Sequence, residues 1–269
     1  MANVVTHLEV LGRRIQECRG GSGKPLLYLH SAAGEAIWLP HLTGLAAKYE
    51  LHAPAHPGFL GSQGIEQIRD IEDYVYHYLA YLDVMGWKSI DVVGLSLGGW
   101  IGAELAARYP ERISKLVLVD AVGIWIREKP IADIFAIDSR HPEKLQQLLF
   151  HDVDHPMAKL MAVPRGAGVQ NLPEEMVINF MNALAATAKV GWNPLLHDPR
   201  LESLLHRVTA KTLCLWGAHD RVVPVEYGEK YAKLIPGASL EVIPDCGHML
   251  PFEKTAEFLA AVTRFIGQA

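Results

Sequence analysis

The chain has 269 residues, 50% of them hydrophobic, enough for one sizeable core: a single domain, or one domain carrying an insertion. Thirty acidic residues against 25 basic ones give a net charge of −5 without a long run of either sign, which argues against nucleic acid or an anionic membrane as partner. The opening residues lack a basic head followed by an apolar core, and no apolar stretch approaches the length of a membrane span, so a cytoplasmic protein without signal peptide is expected.

In chain order, residues 6–11 and 13–18 alternate as two strands turning at Gly12, and Pro25–Leu29 is an apolar run of the kind that forms a buried strand. Cys18 lies in the second strand; with Cys214 and Cys246 it makes three cysteines, which cannot all pair and form no C-x-x-C, so free thiols are expected. Beyond the loop His30-Ser31-Ala32-Ala33-Gly34, a helix is expected over 38–48, a short strand over 49–54 and a Pro/Gly loop over 55–62. Apolar residues at helical spacing (Ile71, Val75, Tyr78, Leu79, Leu82) predict a helix over 68–85, ended by Gly86.

Ile90-Asp91-Val92-Val93 has the composition of a buried strand, and Gly98 to Arg108 that of a helix. Between them stands Gly94-Leu95-Ser96-Leu97-Gly98, a complete G-x-S-x-G. A serine on so tight a strand-to-helix turn needs neighbours without a Cβ, which Gly94 and Gly98 supply, and the following helix aims its free N–H groups at the serine.

Ile113–Val119 is a further strand, ended by Asp120, but the next comparable strand begins only at residues 211–212. One crossover helix needs far fewer residues, so 124–192 reads as an inserted helical cap over the strand ends, with helices expected over 143–150 and 174–189. His151-Asp152-Val153-Asp154-His155 within it reads as a polar turn before Pro156 rather than a metal site. Strand 211–216, helix 225–235, strand 239–243 and helix 253–266 complete the chain. Such alternation predicts an α/β fold: a mostly parallel central sheet covered by helices on both faces, formed by residues 1–123 and 193–269. Ser31, Ser96, Asp120, Asp220 and His248 all fall at carboxyl ends of strands, where ligands of such sheets sit.

The segment around Ser96 resembles the nucleophile elbow of the α/β-hydrolase fold, and the resemblance extends over nearly the whole chain. It implies Ser96 as nucleophile, His248 as base and Asp220 as the carboxylate that orients the histidine, in the chain order this fold uses. Asp120, at the end of the sixth strand, is the alternative acid, and His219 is a weaker candidate for the base than His248. The family's oxyanion loop usually reads His-Gly-x-x-Gly. Carried over to His30–Gly34, it assigns the backbone N–H groups of Ala32 and Leu97 to the oxyanion hole, with Ser31 departing from the usual glycine. No cofactor and no metal are implied.

A serine at the elbow sets aside the aspartate-nucleophile dehalogenases and epoxide hydrolases of this fold. What the resemblance leaves is acyl-transfer chemistry: carboxylesterases, lactonases, perhydrolases, and C–C bond hydrolases of dienoic diketo acids. The last group typically carries a Trp shortly after the catalytic His and an Arg in the cap for the substrate carboxylate. Here Met249 follows His248, and Arg165, Arg127 and Arg140 are the candidate cations. The expected activity is therefore hydrolysis of small to medium neutral carboxylic esters. The expected partner is a small-molecule ester, with a homodimer as the assembly left open; the non-enzyme alternative is a ligand receptor that retains the triad.

Overall fold

The protein is described as a computed structural model, in which residues 3–136, 143–161 and 174–268 are placed. Strands β1 (Val4–Val10) and β2 (Arg13–Gly20) form an antiparallel hairpin, followed by β3 (Pro25–Leu29), helix α1 (Pro40–Ala46) and β4 (Glu50–Pro54). Helix α2 (Ile71–Val84) is opened by the Asp70 carboxylate, which accepts hydrogen bonds from the N–H groups of Glu72 and Asp73. Then come β5 (Ile90–Leu95), α3 (Leu97–Arg108) and β6 (Ile113–Val119).

Between β6 and the next strand lie α4 (Glu143–Leu149), α5 (Pro156–Met161) and α6 (Glu174–Gly191). Helix α5 is absent from the sequence expectation. It starts at Pro156, whose fixed φ and missing N–H suit a first helical turn. The chain closes with α7 (Leu201–Leu204), β7 (Lys211–Gly217), α8 (Val225–Leu234), β8 (Ser239–Ile243), α9 (Leu250–Glu253) and α10 (Thr255–Gly267). The helix expected over 253–266 is thus preceded by a separate turn of helix, because Pro251 initiates one early and Lys254 breaks it with φ −129° and ψ 54°.

The eight strands form one sheet in the order β1-β2-β4-β3-β5-β6-β7-β8, parallel from β4 to β8 and antiparallel at the β1–β2 and β2–β4 pairs. Strand periodicity divides the side chains between two cores. Leu27, Leu29, Val92, Leu116, Leu118, Cys214 and Trp216 join one, packed on α2, α3 and α8 through Tyr74, Tyr78, Trp100 and Tyr231. Leu26, Tyr28, Val93, Val117, Val119, Leu213 and Leu215 join the other, packed on α1, α9 and α10 through Leu45, Phe252, Phe258 and Ile266. Apolar surface buried on both faces is why these strands read as continuous hydrophobic runs.

All three cysteines are free and buried, and burial pushes the Cys18 and Cys214 thiols up to about 12. Among the described residues no helix is long and apolar enough to cross a membrane.

Candidate active site

Ser96 sits between β5 and α3 with φ 51° and ψ −108°, a conformation that L-residues rarely adopt. Two close approaches hold it there. A Cβ on Gly94 would lie 2.4 Å from the Gly98 carbonyl oxygen, and one on Gly98 would lie 2.0 Å from that of Leu29. The second approach seats the start of α3 directly on the end of β3, next to the loop 30–34. Leu97 is the first residue of α3, so its N–H belongs to the turn that has no intrahelical acceptor.

The structure brings Ser96, His248 and Asp220 into one chain of hydrogen bonds. His248 Nε2 is 3.0 Å from Ser96 Oγ, and His248 Nδ1 is 2.7 Å from Asp220 Oδ2. All three residues are buried. Asp220 is held in turn by its other oxygen, Oδ1, which accepts the N–H groups of Val222 and Val223, each at 2.8 Å. A carboxylate so fixed donates nothing, so Nδ1 carries the proton and Nε2 is free to accept one from the serine hydroxyl.

Asp120 is not the partner of His248. It is fully buried with φ 45°, and its Oδ1 accepts the Gly217 N–H at 2.9 Å. Its Oδ2 is buried with no hydrogen-bond partner among the described residues, and Asp220 is its charged neighbour. Burial first, and the Asp220 charge second, push the Asp120 carboxyl well above the usual carboxylate range. Asp120 therefore favours its neutral form beside the charged Asp220. His219 is exposed and stacks on His151, with ring centroids 4.2 Å apart.

The loop carrying Ala32 is built by groups the sequence did not single out. Glu35 accepts the Ser31 N–H at 2.7 Å with Oε1 and the Ser31 hydroxyl at 2.7 Å with Oε2, while Ser31 Oγ and O accept the N–H groups of Ala33 and Gly34. Ser31, the departure from the usual glycine, thus closes the turn itself. Burial pushes the Glu35 carboxyl up, against the pull of the Ser31 hydrogen bonds and of the nearby His248. On the other side the His30 and His56 rings stack at 3.7 Å; the His56 N–H donates to His30 Nε2, and His56 Nε2 lies 2.9 Å from the His30 carbonyl oxygen. Burial pushes His30 down to about 4 and His56 well below the usual histidine range, so both rings are neutral props. An acid four residues after Ser31, in an otherwise apolar stretch, is the one sequence signal that could have found this network.

The His248 loop is tied to the segment after α4. The Glu253 carboxylate accepts N–H groups from Gly247, His151 and Asp152, and the Met249 N–H donates to the Leu149 carbonyl oxygen at 3.0 Å. Three carboxyl groups, of Glu35, Asp120 and Asp220, are buried around the serine–histidine pair. Among the described residues the buried cations are Arg13, which donates to Gln67 and approaches His77, and Lys115, which donates to the carbonyls of Ile266 and Gln268. Neither faces the triad. Arg127 is exposed, and Arg140 and Arg165 lie outside the described residues.

Residues 24–255 match the alpha/beta hydrolase fold family profile. The chain is 26% identical to a 2-hydroxy-6-oxo-2,4-heptadienoate hydrolase of Pseudomonas putida, over 91% of this chain and 90% of that protein. It is 28% identical to a 2-hydroxy-6-oxo-6-phenylhexa-2,4-dienoate hydrolase of Burkholderia cepacia, over 91% and 88%. Among solved structures it is similar to a 2-hydroxy-6-oxo-6-phenylhexa-2,4-dienoate hydrolase from a Rhodococcus species, with TM-score 0.79 and 21% identity over 99% of both chains. It is also similar to naproxen esterase from Bacillus subtilis, with TM-score 0.76 and 20% identity over 98% of this chain and 92% of that one. At these identities the structural likenesses establish the fold alone.

Proposed function

The chain belongs to the α/β-hydrolase fold family, and from that premise we propose that it is a serine hydrolase of neutral carboxylic esters, with Ser96 as nucleophile, His248 as base and Asp220 as acid. The observation that carries this reading is the pair of contacts on one imidazole, 3.0 Å to the Ser96 hydroxyl and 2.7 Å to the Asp220 carboxylate. A serine hydroxyl is a poor nucleophile until a base removes its proton as it attacks. His248 Nε2 takes that proton, Asp220 stabilises the imidazolium, and the ester carbonyl becomes a tetrahedral oxyanion. The N–H groups of Ala32 and Leu97 receive the oxyanion; one such donor is worth roughly 3–4 kcal/mol of barrier. The imidazolium then hands its proton to the departing alcohol, and water, activated by the same histidine, releases the acid from the acyl-enzyme.

The preference for neutral substrates rests on the three buried carboxyl groups around the serine and on buried cations engaged elsewhere. A substrate carboxylate placed there would find no cation to pair with among the described buried residues, which is costly in a low-dielectric site. C–C bond hydrolysis of a dienoic oxo acid is the second reading, favoured by the likeness to hydrolases of such acids over about nine-tenths of the chain. Against it, Met249-Leu250-Pro251-Phe252 follows His248, where such C–C hydrolases typically carry a tryptophan shortly after the catalytic histidine.

The test is kcat/KM over p-nitrophenyl acetate, butyrate, hexanoate and octanoate, beside a 2-hydroxy-6-oxo-dienoate, with an organophosphonate to label the nucleophile. Ester turnover, labelling of Ser96 and a 10⁴- to 10⁶-fold loss of kcat in Ser96→Ala are expected. Preference for the dienoate would establish the second reading, and turnover of neither class would leave a ligand receptor.

A further inference from the structure

Outside the triad, three potential metal ligands from three separate loops converge. His151 follows α4, His219 follows β7, and Asp245 follows β8. Their ligand atoms all lie within 4.8 Å of one another. The His151 and His219 rings are nearly parallel, 19° apart with centroids at 4.2 Å, and His219 Nε2 is 3.9 Å from Asp245 Oδ1. His151 Nδ1 is itself buried and has no hydrogen-bond partner among the described residues. An imidazole nitrogen shut away from water without a partner carries a cost, which a metal ion bound at that atom would remove.

We propose that His151, His219 and Asp245 form a binding site for a divalent transition metal of the zinc class, and that occupancy fastens the segment after α4 to the two loops that carry Asp220 and His248. Two imidazoles and one carboxylate are a borderline-soft donor set suited to zinc, with solvent completing the shell; magnesium and calcium prefer oxygen ligands throughout. Zinc-to-ligand bonds of about 2.1 Å put two ligand atoms roughly 3.4 Å apart in tetrahedral geometry, so the side chains must close in slightly. They are able to, since His219 and Asp245 are 47% and 74% exposed at the side chain. The backbone beneath them is already fixed: the His219 N–H donates to the Cys246 carbonyl oxygen at 2.8 Å, and the His151 N–H to Glu253 at 3.1 Å. None of the three ligands belongs to the triad, so the site is separate from the proposed ester chemistry. The sequence hides it because His151 reads as part of the polar run 151–155, while its partners arrive on two distant loops.

The experiment treats the full chain with a chelator, then titrates zinc chloride while following metal bound per chain, the thermal midpoint, and amide exchange over residues 147–155. Saturable binding of one zinc at micromolar concentration, a rise of several degrees in the midpoint and slower exchange in that segment are expected. His151→Ala and His219→Ala should each weaken binding at least tenfold and abolish the rise, and Asp245→Asn should weaken it several-fold. His155→Ala should leave all three readouts unchanged, and magnesium should have no effect. Binding only at millimolar zinc, or equal binding by wild type and His219→Ala, would overturn the site. Loss of binding in His155→Ala would overturn it in favour of a chelate local to residues 151–155.

Discussion

Asp120 and Asp220 lie side by side beyond the ends of two neighbouring parallel strands, yet only Asp220 reaches the His248 imidazole, at 2.7 Å. The N–H groups of Val222 and Val223 hold Asp220 in that orientation, whereas Asp120 turns one oxygen to the Gly217 N–H. Asp220→Asn cannot fix the histidine tautomer as a carboxylate does, so it should cost about 10⁴-fold in kcat. Asp120→Asn keeps an acceptor for Gly217 and should stay within about tenfold of wild type. Rates of p-nitrophenyl butyrate hydrolysis decide between them, and the reverse ranking would move the acid to Asp120.

The same pair makes stability depend on pH. Because the folded state raises the Asp120 carboxyl well above its ordinary range, the native protein holds a proton that the unfolded chain releases near pH 4. The resulting stabilisation is complete below that pH and is lost as pH rises through the folded value, by at most about 1.4 kcal/mol per unit. Urea unfolding at pH 5 and 8 should therefore show Asp120→Asn gaining on wild type as pH rises. A constant difference between the two proteins would count against a neutral Asp120.

His41 gives the opposite sign. Its ring packs against Tyr28, Phe252 and Phe258 with centroids 5.4, 4.7 and 6.2 Å away, and neither nitrogen finds a hydrogen-bond partner among the described residues. Burial pushes it down to about 3. Its stabilising neutral form is fully present above the unfolded value near 6.5 and is lost as pH falls toward 3, again by up to about 1.4 kcal/mol per unit. His41→Phe fills the same space without a titrating group, so its advantage over wild type in urea should grow between pH 7 and 5. An advantage independent of pH would show that the ring is not held neutral.

Gly98 tests the elbow. A methyl group there would meet the Leu29 backbone oxygen at 2.0 Å, and backbone cannot rotate aside as a side chain can. Gly98→Ala should either fail to fold or lose more than about 100-fold in kcat through a displaced Leu97 N–H. Gly267→Ala, with nothing within 4 Å of the added carbon, should match wild type in circular dichroism and rate.

These residues mark what the sequence could and could not convey. The elbow is legible because a strand, two glycines and a helix must be contiguous around Ser96, and contiguity is what a sequence records. The sheet is legible for a similar reason, since Leu26–Leu29 or Leu116–Val119 bury both faces and leave no polar position. The choice between Asp120 and Asp220 was legible only through family resemblance, because it depends on which carboxylate two loop amides turn toward His248. Glu35 stood out only as an acid in an apolar stretch, and Glu253 and the His30–His56 pair were not legible at all. Their partners are backbone groups on other loops, and no spacing in the chain encodes those meetings.

Glu35 yields the last prediction. It lies three residues after the proposed oxyanion donor Ala32, and its two oxygens accept both hydrogens that Ser31 offers, each at 2.7 Å. Ser31 in turn accepts the Ala33 and Gly34 N–H groups, so the loop's shape depends on the carboxylate although Glu35 touches neither Ser96 nor Leu97 in this chain of bonds. In Glu35→Gln one oxygen becomes an NH₂ group, which cannot accept the Ser31 hydroxyl, and a buried donor loses its partner at about 1–3 kcal/mol. If that strain moves the Ala32 N–H, it weakens contacts to the oxyanion, which exists only after attack, more than contacts to the bound ester. The expected signature is a kcat lowered about 10- to 100-fold with KM changed less than about threefold, and a larger kcat loss in Glu35→Ala. Because Glu35 also lies near His248, the pH profile of kcat/KM separates the two influences: a shape-only role leaves its midpoint in place, whereas an electrostatic one lowers it in Glu35→Gln, since removing a nearby negative charge makes the imidazolium harder to form. A variant that raises KM alone, or loses activity only in proportion to folded protein, would remove Glu35 from any part in shaping the oxyanion site.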